Sequence, residues 1–157
     1  MGIAASLLGF SPVLMTDLES VQSQVQSNIL SSRASKLDVR FATLDWNSMA
    51  SEQAEQIAGQ HWDVILLADP VYSEKQVTAL SQALGSILQS SHHAEILLAY
   101  ADRHEAVTAS LFAMLTKLNL AWQLVATSQL DRRVKIYIIK HTCCTDLSCH
   151  RRQLEQD

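Results

Sequence analysis

No apolar run in this chain comes near the roughly 20 residues that a membrane-spanning helix needs, and no basic segment precedes an apolar one at its start. Both absences argue against a membrane partner and for a soluble protein of the cytoplasm, with the nucleus as a second compartment. Positive charge is not in surplus either. Twelve Lys and Arg stand against 16 Asp and Glu, a net charge of −4 without long like-charge runs, so the footprint that nucleic acid or anionic lipid requires is missing. Cysteine is scarce and crowded: Cys143, Cys144 and Cys149 are an odd number near the end of the sequence. That excludes a secreted disulfide framework and fits reduced thiols. With 4 Gly and 2 Pro, no stretch reads as a linker, and Gly9, Gly59 and Gly85 are too isolated to form a Gly-rich ligand loop.

What the chain has is apolar content: 48% of its 157 residues are hydrophobic, enough for one real core and too short for two ordinary domains. We read one domain over residues 1–140 and a tail over 141–157. Short β-rich runs alternate with longer amphipathic stretches. The pattern predicts a helix over 2–9 ending at Gly9, strand 12–16, helix 18–31, strand 39–44, helix 50–58, strand 62–68, helix 74–89, strand 95–100 and helix 104–119. Strands 122–127 and 134–140 follow, joined by "SQLDRR", which has no room for a crossover helix, so this pair must run antiparallel. Strands apolar on both faces and alternating with helices predict an α/β fold, a doubly wound, mostly parallel sheet with an antiparallel hairpin at one edge. Strands 62–68 and 95–100 are expected to be parallel neighbours with the hairpin beyond them.

Ligands of such sheets sit beyond the carboxyl ends of the strands. Three acids stand there: Asp17, Asp45 and Asp69. Turns into helices also favour caps, and Thr16-x-x-Glu19, Ser73-x-x-Gln76 and Asp102-x-x-Glu105 all read as capping boxes. Asp17 has a structural reading as a favourable charge at a helix start. Asp69 is different, because Ser73 already supplies the cap and Pro70 stiffens the turn between them. Trp46 reads either as a half-buried core residue or as a flat wall for a ligand ring. "HTCCTDLSCHRR" lacks a C-x₂-C pair, so a reduced tail is preferred to zinc, and His92-His93 read as a solvated turn. Met1 to Ser6 fits a loose N-myristoylation template. No polybasic second signal follows, and an apolar helical turn is the preferred reading.

The order "GIAASLLGFSPVLMTDL", "LDW", "DVILLADPVY", "ILLAYADR" resembles the seven-β-strand protein methyltransferases of the methyltransferase-like 21 group, the family 16 lysine methyltransferases, over roughly residues 2–140. Asp69-Pro70-Val71-Tyr72 matches the group's D-x-x-Y motif and Leu44-Asp45-Trp46 its second landmark. The resemblance implies a Rossmann-like fold, S-adenosylmethionine as cofactor, and the lysine side chain of a protein substrate as methyl acceptor. By position, Asp17 would accept hydrogen bonds from the ribose hydroxyls, Asp45 and Trp46 would flank the adenine, and Ala68 would line the methionine end. Asp69 and Tyr72 would face the incoming amine. The family's first strand and Gly-rich loop, which precede the helix that here begins at Gly2, are missing from this sequence, and that strand would lie between 12–16 and 62–68. The resemblance therefore implies either a protein-lysine methyltransferase that holds its cofactor weakly or an inactive relative that acts as a protein-interaction module.

Overall fold

In the computed structural model, all residues except 33–36, 128, 130–132 and 145–157 are described. Their contacts fall into two compact units, Met1–Ile57 and Ala58–Asp157.

In the first unit, α1 (Gly2–Leu7) leads into β1 (Val13–Asp17). The helix stops because Gly9 takes φ +98, a left-handed conformation open to glycine. The amide of Phe10 then reaches the Ala5 carbonyl at 3.2 Å and that of Gly9 the Ser6 carbonyl at 3.1 Å, which is the paired closure of a helix C-terminus. Gly2 lies so close to β1 that a Cβ there would come within 2.5 Å of Met15 Cγ. The predicted helix 18–31 is a 3₁₀ turn (Glu19–Val21) followed by α2 (Gln22–Ser31), with Val21, Val25 and Ile29 as its half-buried stripe. β2 (Val39–Thr43) pairs parallel with β1, Val13 opposite Val39 and Asp17 opposite Thr43. α3 (Glu52–Ala58) buries Ala54 and Ile57. Thr16 and Glu19 do not form the expected capping box: the turn begins at Leu18 without a side-chain cap, because Thr16 is still in the strand.

The second unit holds β3 (Val64–Ala68), α4 (Glu74–Ser90), β4 (Glu95–Ala101), α5 (Glu105–Lys117), β5 (Leu120–Thr127) and β6 (Val134–His141). The strand order is β3-β4-β6-β5. β3 and β4 are parallel, and β6 runs antiparallel to both β4 and β5, as the short link requires. The link itself lies largely outside the described residues. β6, the later arm of the hairpin, is the one that pairs with β4. β4 is therefore flanked on both sides, and Ile96, Leu98 and Tyr100 on one face are buried. Leu80, Leu84, Leu111, Leu115 and Ile139 complete this core, and the Phe112 ring of α5 packs tilted against Trp122 and edge-on to Tyr137 at centroid distances of 5.1 and 5.2 Å.

β3 reads as a fully buried strand but is half-exposed, because it has one neighbour among the described residues. β1 likewise has one neighbour among the described residues. No helix among the described residues is long and apolar enough to cross a membrane.

Candidate functional site

The three acids and their neighbours fall at strand ends, as the pattern predicts, and the structure brings them together in two groups, one per unit. In the first, the parallel register of β1 and β2 sets Asp17 beside the turn that follows Thr43, and the Leu44 amide donates to the Asp17 carbonyl at 2.9 Å. Asp17 is exposed, and its Oδ1 accepts the Leu18 amide at 2.8 Å. Asp45 Oδ1 accepts both the backbone and side-chain N–H of Asn47, each at 2.9 Å. This closes a local turn of the kind Asp favours and leaves Trp46 half-buried at its corner.

The Asn47 bonds, backbone first and then side chain, hold the Asp45 carboxyl below its ordinary range. Because its folded value is depressed, the contribution of this turn is present above the unfolded pKa and is lost as pH falls through the folded one. A carbon-13 titration of the Asp45 carboxyl is expected to show a midpoint below the usual value of about 3.9. Asn47→Ala should move it back up, and an unmoved midpoint would refute the assignment.

The second group is built on the end of β3. Ala68 is its last, exposed residue. Asp69 follows with φ 49, left-handed for a non-glycine residue, a conformation Asp tolerates better than most. The residue before a proline is driven away from the right-handed helical region, and here Pro70 follows directly. The Asp69 amide still donates to the Ala99 carbonyl at 2.7 Å, so the side chain stands at the tip of the β3–β4 ladder.

Ser73 is the N-cap of α4, accepting the Gln76 amide at 3.4 Å. Gln76 Oε1 reaches back past the cap to the Tyr72 amide at 2.8 Å. Asp69 is therefore not the cap. Its Oδ1 accepts the Ala101 amide at 3.2 Å and its Oδ2 the Tyr72 hydroxyl at 3.3 Å. Oδ2 also accepts a bond from Arg103 Nη1, and the Arg103 guanidinium carbon lies 5.4 Å from the Tyr72 ring centroid, within cation–π range. The bond to Asp69 is the main reason the Arg103 pKa is raised above its ordinary value.

Arg103 has no role in the sequence reading, although it closes the "ILLAYADR" stretch. It meets Asp69 because Ala68 and Ala99 are register partners, so the residues beyond the two strand ends converge. The expected Asp102 capping box is absent. The Asp102 amide is held by the Arg133 carbonyl at 3.1 Å and its Oδ1 accepts from Thr108 Oγ1 at 2.8 Å, so α5 starts later, with His104 as N-cap. His92 and His93 lie in the turn before β4. Cys149 and His150 of the "HTCCTDLSCHRR" stretch lie outside the described residues. Among those described, no three His, Cys, Asp or Glu side chains are placed to hold a metal ion.

This architecture is similar to those of several solved structures, one of them a methyltransferase. Magnesium protoporphyrin IX methyltransferase from Synechocystis PCC 6803 with bound S-adenosylmethionine matches 88% of this chain and 63% of its own, at TM-score 0.60 and 14% identity. LepI in complex with S-adenosylmethionine matches 89% of this chain and 41% of its own, at TM-score 0.56 and 12% identity. A structure described as a pericyclic reaction enzyme matches 89% of this chain and 41% of its own, with the same TM-score of 0.56 and 12% identity. The chain thus spans less than two thirds of each of these structures, and identities this low speak to the fold alone. No curated protein matches the chain in sequence. The family model described as lysine methyltransferase matches residues 1–117, which include both strand-end groups and stop before β5 and β6. The chain belongs to the lysine methyltransferase family.

Proposed function

We propose that the chain acts in S-adenosylmethionine-dependent methyl transfer to the side-chain amine of a lysine in a protein substrate. The observation that carries this reading is the tip of β3, where a carboxylate with no capping duty is bonded to the hydroxyl of Tyr72, a tyrosine 56% exposed to solvent. The cofactor would be held at its nucleoside end by the first group. Asp17 offers a carboxylate to the ribose hydroxyls, and Trp46, with Asp45 beside it, an indole face to the adenine. When bound, the cofactor supplies a methyl group already activated on a positively charged sulfur.

The chain's own residues have to admit the lysine, receive it without its ammonium proton and aim its lone pair. A lysine in water has a pKa of about 10.4, so the deprotonated form must be selected. The Tyr72 ring walls the approach. A carboxylate has about four acceptor positions, and Ala101, Tyr72 and Arg103 use three of those on Asp69. Among the described residues that leaves one for an amine N–H. Positioning of this kind is most of what an activated methyl donor requires.

The test is to incubate the chain with methyl-labelled S-adenosylmethionine and a mixture of lysine-containing proteins, then hydrolyse the protein. Label is expected in methyl-lysine. Label confined to small molecules would overturn the acceptor class, and an absence of both label and cofactor binding would leave the interaction module as the function.

A further inference from the structure

We propose that Arg103 is a positioning residue that sets the charge of the acceptor mouth, neutralising Asp69 so that a lysine is received as the free amine rather than held as an ammonium ion. The inference rests on the reading of the β3 tip as the place where the acceptor enters.

A carboxylate beside an aromatic face is a seat for a cation. Left to itself, the Asp69–Tyr72 pair would bind the ammonium form of a substrate lysine and raise its pKa. That form has no lone pair and cannot attack. In this structure the seat is already filled by the chain's own cation: Arg103 donates to Asp69 Oδ2 and lies over the Tyr72 ring. Its side chain is 42% exposed and that of Asp69 25%, so the pair borders solvent and an arriving side chain meets it directly. An arginine stays charged across the working pH range, so the neutralisation does not lapse as pH changes.

Among the described residues, the other charged groups nearby do not undo it. Arg133 repels Arg103 and lowers its pKa, but the bond to Asp69 outweighs it and the net shift is upward. Asp102 is engaged by Thr108 Oγ1 at 2.8 Å and by Lys135 Nζ at 3.8 Å. With the mouth near neutrality, the lysine ammonium loses its proton to water before it docks. With the cofactor bound, the amine lone pair would take up the methyl group while the sulfur would keep the bonding pair, and the product would leave as a methylammonium ion with no base on the protein consumed.

The experiment uses n-butylammonium as a stand-in for the lysine side chain. It is titrated at pH 7 into the full chain, into Arg103→Gln and Arg103→Met, and into the conservative Arg103→Lys, following the amide signals of residues 69–72 and 101–103. The two neutral variants are expected to bind the probe about tenfold more tightly than the unaltered chain, and Arg103→Lys to bind it as the unaltered chain does. Where methyl transfer is measurable, the acid limb of the kcat profile should move up by about one pH unit in Arg103→Gln and return in Arg103→Lys. Equal probe affinity in all variants, each with its folded amide spectrum, would overturn the proposal. Tighter probe binding in the neutral variants without any methyl transfer would uphold the charge role and count against the methyltransferase reading instead.

Discussion

Asp69→Asn lowers kcat for methyl transfer by about a hundredfold or more while cofactor affinity stays within a few-fold. That is the magnitude expected when a preorganised electrostatic group is removed from a reaction centre. The substitution keeps the shape of the side chain and the ability to occupy the left-handed conformation at φ 49. What it removes is the charge that holds Arg103, and one acceptor oxygen becomes a donor facing the Tyr72 hydroxyl. A group that acts on the amine contributes in the transition state, so its loss appears in kcat more than in cofactor binding. Asp69→Ala should lose turnover as well, and it should also lower stability, because alanine is strained where φ is positive and the Ala101 amide loses its partner. Comparing the two separates chemistry from folding. Tyr72→Phe should be milder, since the ring remains and only one hydroxyl hydrogen bond, worth about 0.5–1.5 kcal/mol, is lost. If Asp69→Asn leaves turnover unchanged, the carboxylate belongs to the turn and not to the reaction.

Leu98→Ala is expected to cost about 2–5 kcal/mol of stability, read as a lower urea midpoint. Leu98 is fully buried in β4, the strand flanked by β3 and β6, opposite Leu67 on one side and Tyr137 on the other. Both neighbours are held by backbone ladders, so the cavity cannot collapse cheaply. Against a total stability of about 5–15 kcal/mol, such a loss is a large share. Leu124→Ala is the matched control. Leu124 is 49% exposed in β5, a strand with one neighbour among the described residues, and its truncation should change stability by no more than about 0.5 kcal/mol. Equal effects at the two positions would place the core of this unit somewhere other than β4.

How much of this was legible beforehand follows from the range over which each feature is encoded. Alternating strands and helices are written in local periodicity, and all eleven predicted segments are elements of the structure. The antiparallel closing pair followed from one local constraint, a link too short for a crossover. The family could be read from the D-x-x-Y and L-D-W stretches because each is a few contiguous residues at a strand end. The Ser73 cap of α4 was visible for the same reason. The caps proposed at Thr16 and Asp102 failed because partners outside the local window prevailed: the β1–β2 ladder keeps Thr16 extended, and Arg133, Thr108 and Lys135 claim Asp102.

By itself, then, the sequence determined the order of the elements, the direction of the last strand, the three carboxylates at strand ends and the family. Tertiary structure alone decided that β6 rather than β5 lies against β4, that the apolar β3 has one neighbour among the described residues and is half-exposed, and that Asp69 stands in a left-handed turn bonded to Arg103. The reason is register. A one-residue slip between β3 and β4 would leave every local pattern in the chain unchanged, yet it would carry Arg103 away from Asp69, and no window of contiguous residues records which slip the folded sheet selects.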